Sequence, residues 1–386
     1  MLETAFRGGK RYWMLLGVWA ILILAGSVAF GVQLAEGLQI TGMSQEVTWG
    51  LYIAQLTFLV GVAASAVMVV LPYYLHDYKA FGKMVILGEC LAVSAVLMCS
   101  LFVFVDMGQP ARVLNIMLHP TPNSPMFWDM IALMGYLVLN MVIGAVTFDA
   151  ERKGAPPANW VKPLIYISIP WAVSIHTVTA FLYSGLEARP FWMTAILAPR
   201  FLASAFASGP SLLILLALII RNATTFDPGK NAIQKLAIIV TYAMTINLFF
   251  VGVELFTALY SNMPHHTHPF AYLFIGLEGH HALVPWMWVG SALSVACVFL
   301  LLWPQIRQQE KYLALLCVGV IAAIWIEKGM GMVVTGFIPS PLGEINEYVP
   351  TLPEVTITVG VYAIGFFVLT VLYKIVVSVR ERLQVT

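Results

Sequence analysis

The chain has 386 residues and a net charge of +1, with 60% hydrophobic and 10% charged residues. A soluble domain carries roughly 25% charged residues, so the composition excludes a soluble fold. The net charge of +1 says nothing about nucleic acid, no basic patch exceeds a loop, and no nucleic-acid partner is expected.

Ten apolar segments follow in chain order, at about 12–34, 49–75, 83–105, 127–148, 164–185, 200–221, 236–260, 281–303, 312–334 and 356–379. Each is long enough to cross a hydrocarbon core of roughly 30 Å at a rise of about 1.5 Å per residue. Segment 1 follows basic residues, as a signal peptide would. Its apolar run is too long for an h-region and no clean small-residue cleavage site follows, so it is expected to be a retained helix. Lysine and arginine separate by loop. One alternating set holds sixteen: Arg7, Lys10, Arg11, Lys79, Lys83, Arg152, Lys153, Lys162, Arg221, Lys230, Lys235, Arg307, Lys311, Lys374, Arg380 and Arg382. The other holds three, Arg112, Arg189 and Arg200, while Lys328 falls inside segment 9. By the positive-inside rule the richer side is cytoplasmic. The expected fold is an all-α polytopic membrane protein of about ten transmembrane helices, N-in and C-in.

Segments 2 to 5 and segments 6 to 9 start about 151, 153, 154 and 148 residues apart, and each quartet has its long outer connection, 106–126 or 261–280, after its second helix. This reads as a parallel repeat of two four-helix bundles. The expected divisions are 1–40 (flanking helix), 41–190 (first bundle), 191–340 (second bundle) and 341–386 (flanking helix 10). Evenly spaced helices give the same offsets by chance, so the spacing leaves that alternative open. The outer loops are the elaborated ones, and function and partners are expected there.

Charged groups inside apolar segments are costly and therefore candidates for function. They are Glu89, Glu254, Glu327 and Lys328, with His176 the one histidine well inside a span. At the outer ends lie Asp106 and Arg112, Tyr52 and Gln55 on one face of segment 2, and Trp128, Asp129 and Tyr136 in segment 4. A quinone headgroup needs polar partners for two oxygens, a group to move protons and an aromatic wall; these residues supply that set. Structural readings stand beside the functional ones. Glu327 with Lys328 reads equally as a neutralised pair, the tyrosines and tryptophan as interfacial belt residues, His176 as bonded to a carbonyl or hydroxyl, and Asp106 with Arg112 as a loop pin. A membrane haem needs two facing histidines and an iron–sulfur cluster about four thiolates. His265, His266 and His268 lie in an outer loop, and Cys90, Cys99, Cys297 and Cys317 lie in apolar segments without CxxC spacing. No haem, cluster or metal site is expected in this chain.

The stretches TWGLYIAQLTFLVGVAAS (48–65), FVDMGQPARVLNIMLHPTPNSPMFW (104–128) and PWAVSIHTVTAF (170–181) resemble the NrfD/PsrC family of quinol-interacting membrane anchors. Within it, SIHTVTAF and the PHHTHP loop are most similar to the branch serving DsrMKJOP-type complexes of sulfur metabolism, with HmcC-type anchors next. The resemblance implies a subunit of a prokaryotic cytoplasmic membrane that carries no redox cofactor of its own. It implies binding of menaquinone or another quinone near the outer face. It also implies electron exchange with an extracytoplasmic ferredoxin-like iron–sulfur subunit, beside other membrane and cytochrome subunits. Such a chain acts as an oxidoreductase only within its complex. On the family motifs the quinone-site positions are Tyr52, Gln55 and Asp106; Glu89 and Tyr136 are placed by helix alone. Some relatives move protons through the bundle, for which Glu89, His176, Glu254, Glu327 and Lys328 are the candidates here. Without the resemblance, the residues fit a secondary transporter or a purely structural anchor as alternatives. Pro170 and Pro210 do not occupy corresponding positions in the two quartets, which counts against the transporter.

Overall fold

A computed structural model describes residues 6, 8–155 and 157–385; Arg7, counted above on the basic side, lies outside the described residues. Among the described residues ten helices are long and apolar enough to cross a membrane, and each coincides with one of the apolar segments to within a few residues. They are α1 (Lys10–Glu36), α2 (Leu51–Leu75), α3 (Lys79–Asp106), α4 (Pro125–Arg152), α5 (Val161–Ser184), α6 (Leu197–Ala223), α7 (Lys230–Ser261), α8 (Val284–Leu302), α9 (Glu310–Thr335) and α10 (Leu352–Val385). No strand occurs among the described residues. Helices are the expected solution, because an apolar run in lipid must satisfy its own backbone hydrogen bonds. The chain is a multi-pass membrane protein.

The helix ends follow local chemistry. Asn262 closes α7 in a left-handed conformation at φ 48°, which asparagine tolerates better than most residues. At the start of α10 the run Thr351-Leu352-Pro353-Glu354 spells a capping box. Glu354 Oε2 accepts the Thr351 N–H at 2.9 Å, satisfying one of the orphan donors of the first turn.

Helix α2 is the centre of the molecule. Of its most apolar stretch 94% is buried, against 11% for α1, so α1 is peripheral. Helices α2 to α5 pack together, α6 to α9 pack together, and α1 pairs with α10 on the flank of α3. Small residues set the close approaches. A Cβ on Gly209 of α6 would stand 2.6 Å from the Ser65 Cβ of α2, where the quartets meet. A Cβ on Gly26 of α1 would stand 2.6 Å from the Gly360 Cα of α10. Helix α9 is interrupted: Trp325–Gly331 winds as a π-helix, and this segment packs on α2. On the outer side by the charge count, a short helix Pro264–Phe274 follows α7, and the connection from α9 to α10 folds back so that Tyr348 is buried.

Candidate functional site

Two buried polar clusters lie on either side of α2. The first joins the outer ends of α1, α2, α3 and α10. Gln33 of α1 donates from Nε2 to the Val105 carbonyl at 2.7 Å and accepts the Tyr52 hydroxyl on Oε1 at 2.7 Å. Tyr348 accepts the N–H of Leu51, the first residue of α2, at 2.8 Å and donates to Glu354 Oε1 at 2.8 Å. Burial pushes the Tyr348 phenol above its ordinary pKa, and the Glu354 carboxylate adds to the effect. Glu354 Oε2 also accepts the Gly42 N–H at 2.7 Å. Asp106 ends α3, one residue beyond the carbonyl that Gln33 holds, and its Oδ1 is buried with no hydrogen-bond partner in the structure.

Gln55 stands one turn deeper than Tyr52. Its Oε1 accepts both the Trp325 indole N–H of α9 at 2.8 Å and the Tyr362 hydroxyl of α10 at 2.7 Å. Its Nε2 is buried with no hydrogen-bond partner in the structure. Phe102 of α3 lies edge-on to Tyr362 with ring centroids 5.5 Å apart. Tyr52 and Gln55 thus lie one turn apart on α2, and Asp106 follows the Val105 carbonyl that Gln33 ties to Tyr52. Trp128 and Arg112 do not join it. Trp128 is 50% exposed and bonds the Pro122 carbonyl at 2.7 Å, and Arg112 is exposed in a turn with no ion pair to Asp106 among the described residues.

Deeper in the first quartet, Glu89 and Tyr136 flank a hollow of about 10 Å³ with Asn140 and Ser168, close to the room one water needs. His176 is fully buried. Its Nδ1 lies 3.3 Å from the Ala172 carbonyl of its own helix, and its Nε2 has no hydrogen-bond partner in the structure. Asp129, beside Trp128 in the chain, points inward and accepts the Thr179 hydroxyl at 2.6 Å, linking α4 to α5.

The second cluster corrects the sequence reading twice. Arg200, an outer-loop residue by the charge count, lies in the first turn of α6 and is largely buried. Its guanidinium forms an ion pair with Glu254 of α7 and donates from Nη2 to Glu327 Oε1 of α9 at 2.7 Å. Asn247 Nδ2 donates to Glu327 Oε2 at 3.2 Å. Glu327 and Lys328 therefore do not form a neutralised pair. Adjacent residues on a helix point about 100° apart, so Glu327 takes Arg200 while the Lys328 ammonium turns to the Phe201 carbonyl at 3.5 Å and ring at 4.2 Å. A cavity of about 40 Å³ opens on Arg200 and Glu327, with Ser291 and Ser294 in its wall.

Sequence reasoning passed over Gln33, Tyr348, Arg200, Trp325 and Tyr362, and gave Glu354 no role. The capping-box spelling at Thr351–Glu354 and the glycines Gly329 and Gly331 beside Lys328 were the available signals. Gln33 carried only the weak one of a polar residue in an apolar run.

An all-helical bundle of apolar spans with buried polar clusters between its helices defines a polytopic membrane protein. The family model described as "Polysulphide reductase, NrfD" matches residues 39–337, which takes in α2 to α9. The chain belongs to that family. It is 27% identical to a putative dimethyl sulfoxide reductase membrane subunit of Halobacterium salinarum, over 91% of this chain and 88% of that one. It is 21% identical to a selenate reductase subunit of Mesobacillus selenatarsenatis, over 95% of each. It is 23% identical to the Hdr-like menaquinol oxidoreductase integral membrane subunit of Archaeoglobus fulgidus, over 61% of this chain and 58% of that one.

Proposed function

We propose that this chain is the quinone-exchanging membrane subunit of a redox complex. It binds menaquinone, or another quinone, between the outer ends of α1, α2, α3 and α10. Electrons pass between that quinone and an extracytoplasmic ferredoxin-like iron–sulfur subunit, alongside membrane and cytochrome subunits of the DsrMKJOP type in sulfite or sulfate metabolism. The observation that carries this reading is a pair of unpartnered buried polar atoms at this cluster, Gln55 Nε2 and Asp106 Oδ1. Buried polar groups without partners call for an explanation, and this pair suits a quinone: the amide donates to a carbonyl oxygen, and the carboxylate accepts from a quinol hydroxyl. Phe102, Trp325 and Tyr362 supply the aromatic wall. The name of the Archaeoglobus relative supports menaquinone, and the other relatives are named as reductase subunits.

When bound, the quinone supplies the two-electron, two-proton chemistry. The chain's own part is to orient the headgroup through Gln55, to hold a proton at Asp106, and to keep the cluster dry through the Gln33, Tyr348 and Glu354 bonds above it. In the purified complex, Asp106→Asn and Tyr52→Phe are expected to slow quinol oxidation or quinone reduction by about a hundredfold or more, in the range of a lost proton-transfer group, with assembly intact. Unchanged turnover in both variants would overturn the placement.

We also propose that the second quartet carries protons through Glu254, Glu327 and Lys328, with His176 and Glu89 on the first-quartet side. The cavity on Arg200 and Glu327 favours this reading, because about 40 Å³ holds two or three waters. In sealed vesicles, Glu254→Gln and Glu327→Gln are expected to lower the protons moved per electron. An unchanged ratio assigns both carboxylates to structure.

A further inference from the structure

We propose a second, unrelated binding site on the inner face: a basic cavity that takes a phosphate group, either the phosphodiester of an acidic phospholipid or a free phosphate. The α2–α3, α4–α5 and α6–α7 connections converge there with the end of α10 and border a half-open cavity of about 460 Å³, within the roughly 300–1,000 Å³ of small-ligand sites. Three cations line it, Lys79, Lys83 and Arg380, and no aspartate or glutamate does among the described residues. A half-open site lined by cations and by no carboxylate among the described residues favours an anion.

The cations are set by structure. Arg380 is buried and donates to the Lys83 carbonyl at 2.6 Å and the Gly82 carbonyl at 3.3 Å, with its guanidinium 5.4 Å from the Phe226 ring. Lys83 donates to the Asp227 carbonyl at 3.1 Å, and an ammonium has three donors. Lys79 pairs with Asp77, which does not line the cavity. The Thr147 hydroxyl faces the same space and is buried with no hydrogen-bond partner in the structure. Cations from separate elements plus a hydroxyl suit the several acceptor oxygens of a phosphate. The position fits as well, since the cavity lies at the end of α2, the start of α3 and the end of α10, on the side that the charge count makes cytoplasmic, where basic pockets between helices bind acidic lipids.

The test is native mass spectrometry of the delipidated complex, titrated separately with diphosphatidylglycerol, phosphatidylcholine and inorganic phosphate. Lys79 and Lys83 are exposed, so Lys79→Gln and Lys83→Gln leave the core intact. Each is expected to weaken binding about fivefold, while Lys153→Gln and Lys162→Gln, inner-face lysines outside the cavity, leave it unchanged. Preference for diphosphatidylglycerol assigns a lipid. Competition by inorganic phosphate at equal affinity assigns a soluble phosphate. Equal binding of phosphatidylcholine, or equal loss in all four variants, overturns the site.

Discussion

Arg200 shows what one residue decides in this bundle. Its guanidinium serves two carboxylates from two other helices, so its removal leaves two buried negative charges together. Breaking a buried ion pair from one side costs about 3–5 kcal/mol. Arg200→Leu is therefore expected to lower the thermal unfolding midpoint of the purified protein sharply, and adding Glu254→Gln and Glu327→Gln is expected to restore much of the loss. A midpoint unmoved by Arg200→Leu would show that the three groups contribute nothing to stability. The two carboxylates were legible in the sequence, because charge inside an apolar run is expensive. Their partner was not, because an arginine one turn inside a helix looks in sequence like the last residue of a loop. Gln33 and Tyr348 were hidden for another reason. Each matters through a contact across the chain, Gln33 to Tyr52 and Tyr348 to Leu51 and Glu354, and no local pattern records such a contact.

Among elements, the ten helices were readable since length and apolarity alone specify a span. The π-helical turn of α9 was not, because the charges and glycines of Trp325–Gly331 mark an unusual stretch without specifying a widened turn. That turn brings Trp325 to Gln55 and sends Glu327 and Lys328 to different neighbours, as π-bulges at functional sites often do. The pairing of α1 with α10 rests on the Gly26–Gly360 approach, where a Cβ has no room. Gly26→Leu or Gly360→Leu is expected to push the helices apart and weaken the hold of Gln33 on Tyr52. The readouts are lower thermal stability and faster proteolysis at the 37–50 connection; wild-type behaviour in both would remove the glycines from any packing role.

For the whole molecule, the helix starts in the two quartets differ by 146 (51 to 197), 151 (79 to 230), 159 (125 to 284) and 149 (161 to 310) residues. We propose on this spacing, and on the separate packing of each quartet, that they descend from a parallel repeat. The elaborated side is the outer one, with connections 107–124, 185–196, 262–283 and 336–351. An iron–sulfur partner docked there would face the first cluster. Cross-linking of the intact complex is expected to map that partner to these connections, and exclusive links to the inner loops 76–78, 153–160 or 224–229 would contradict the docking.

The pairing of α1 with α10 also imposes an order of assembly during synthesis. Of these ten helices α1 is made before the other eight and its main neighbour α10 after them, so α1 waits in lipid while α2 to α9 are made. Glu354 and Tyr362 belong to α10, and Tyr348 to the loop just before it. The outer cluster therefore closes only once α10 is made, and a chain arrested after α9 has a complete second quartet but an open first site.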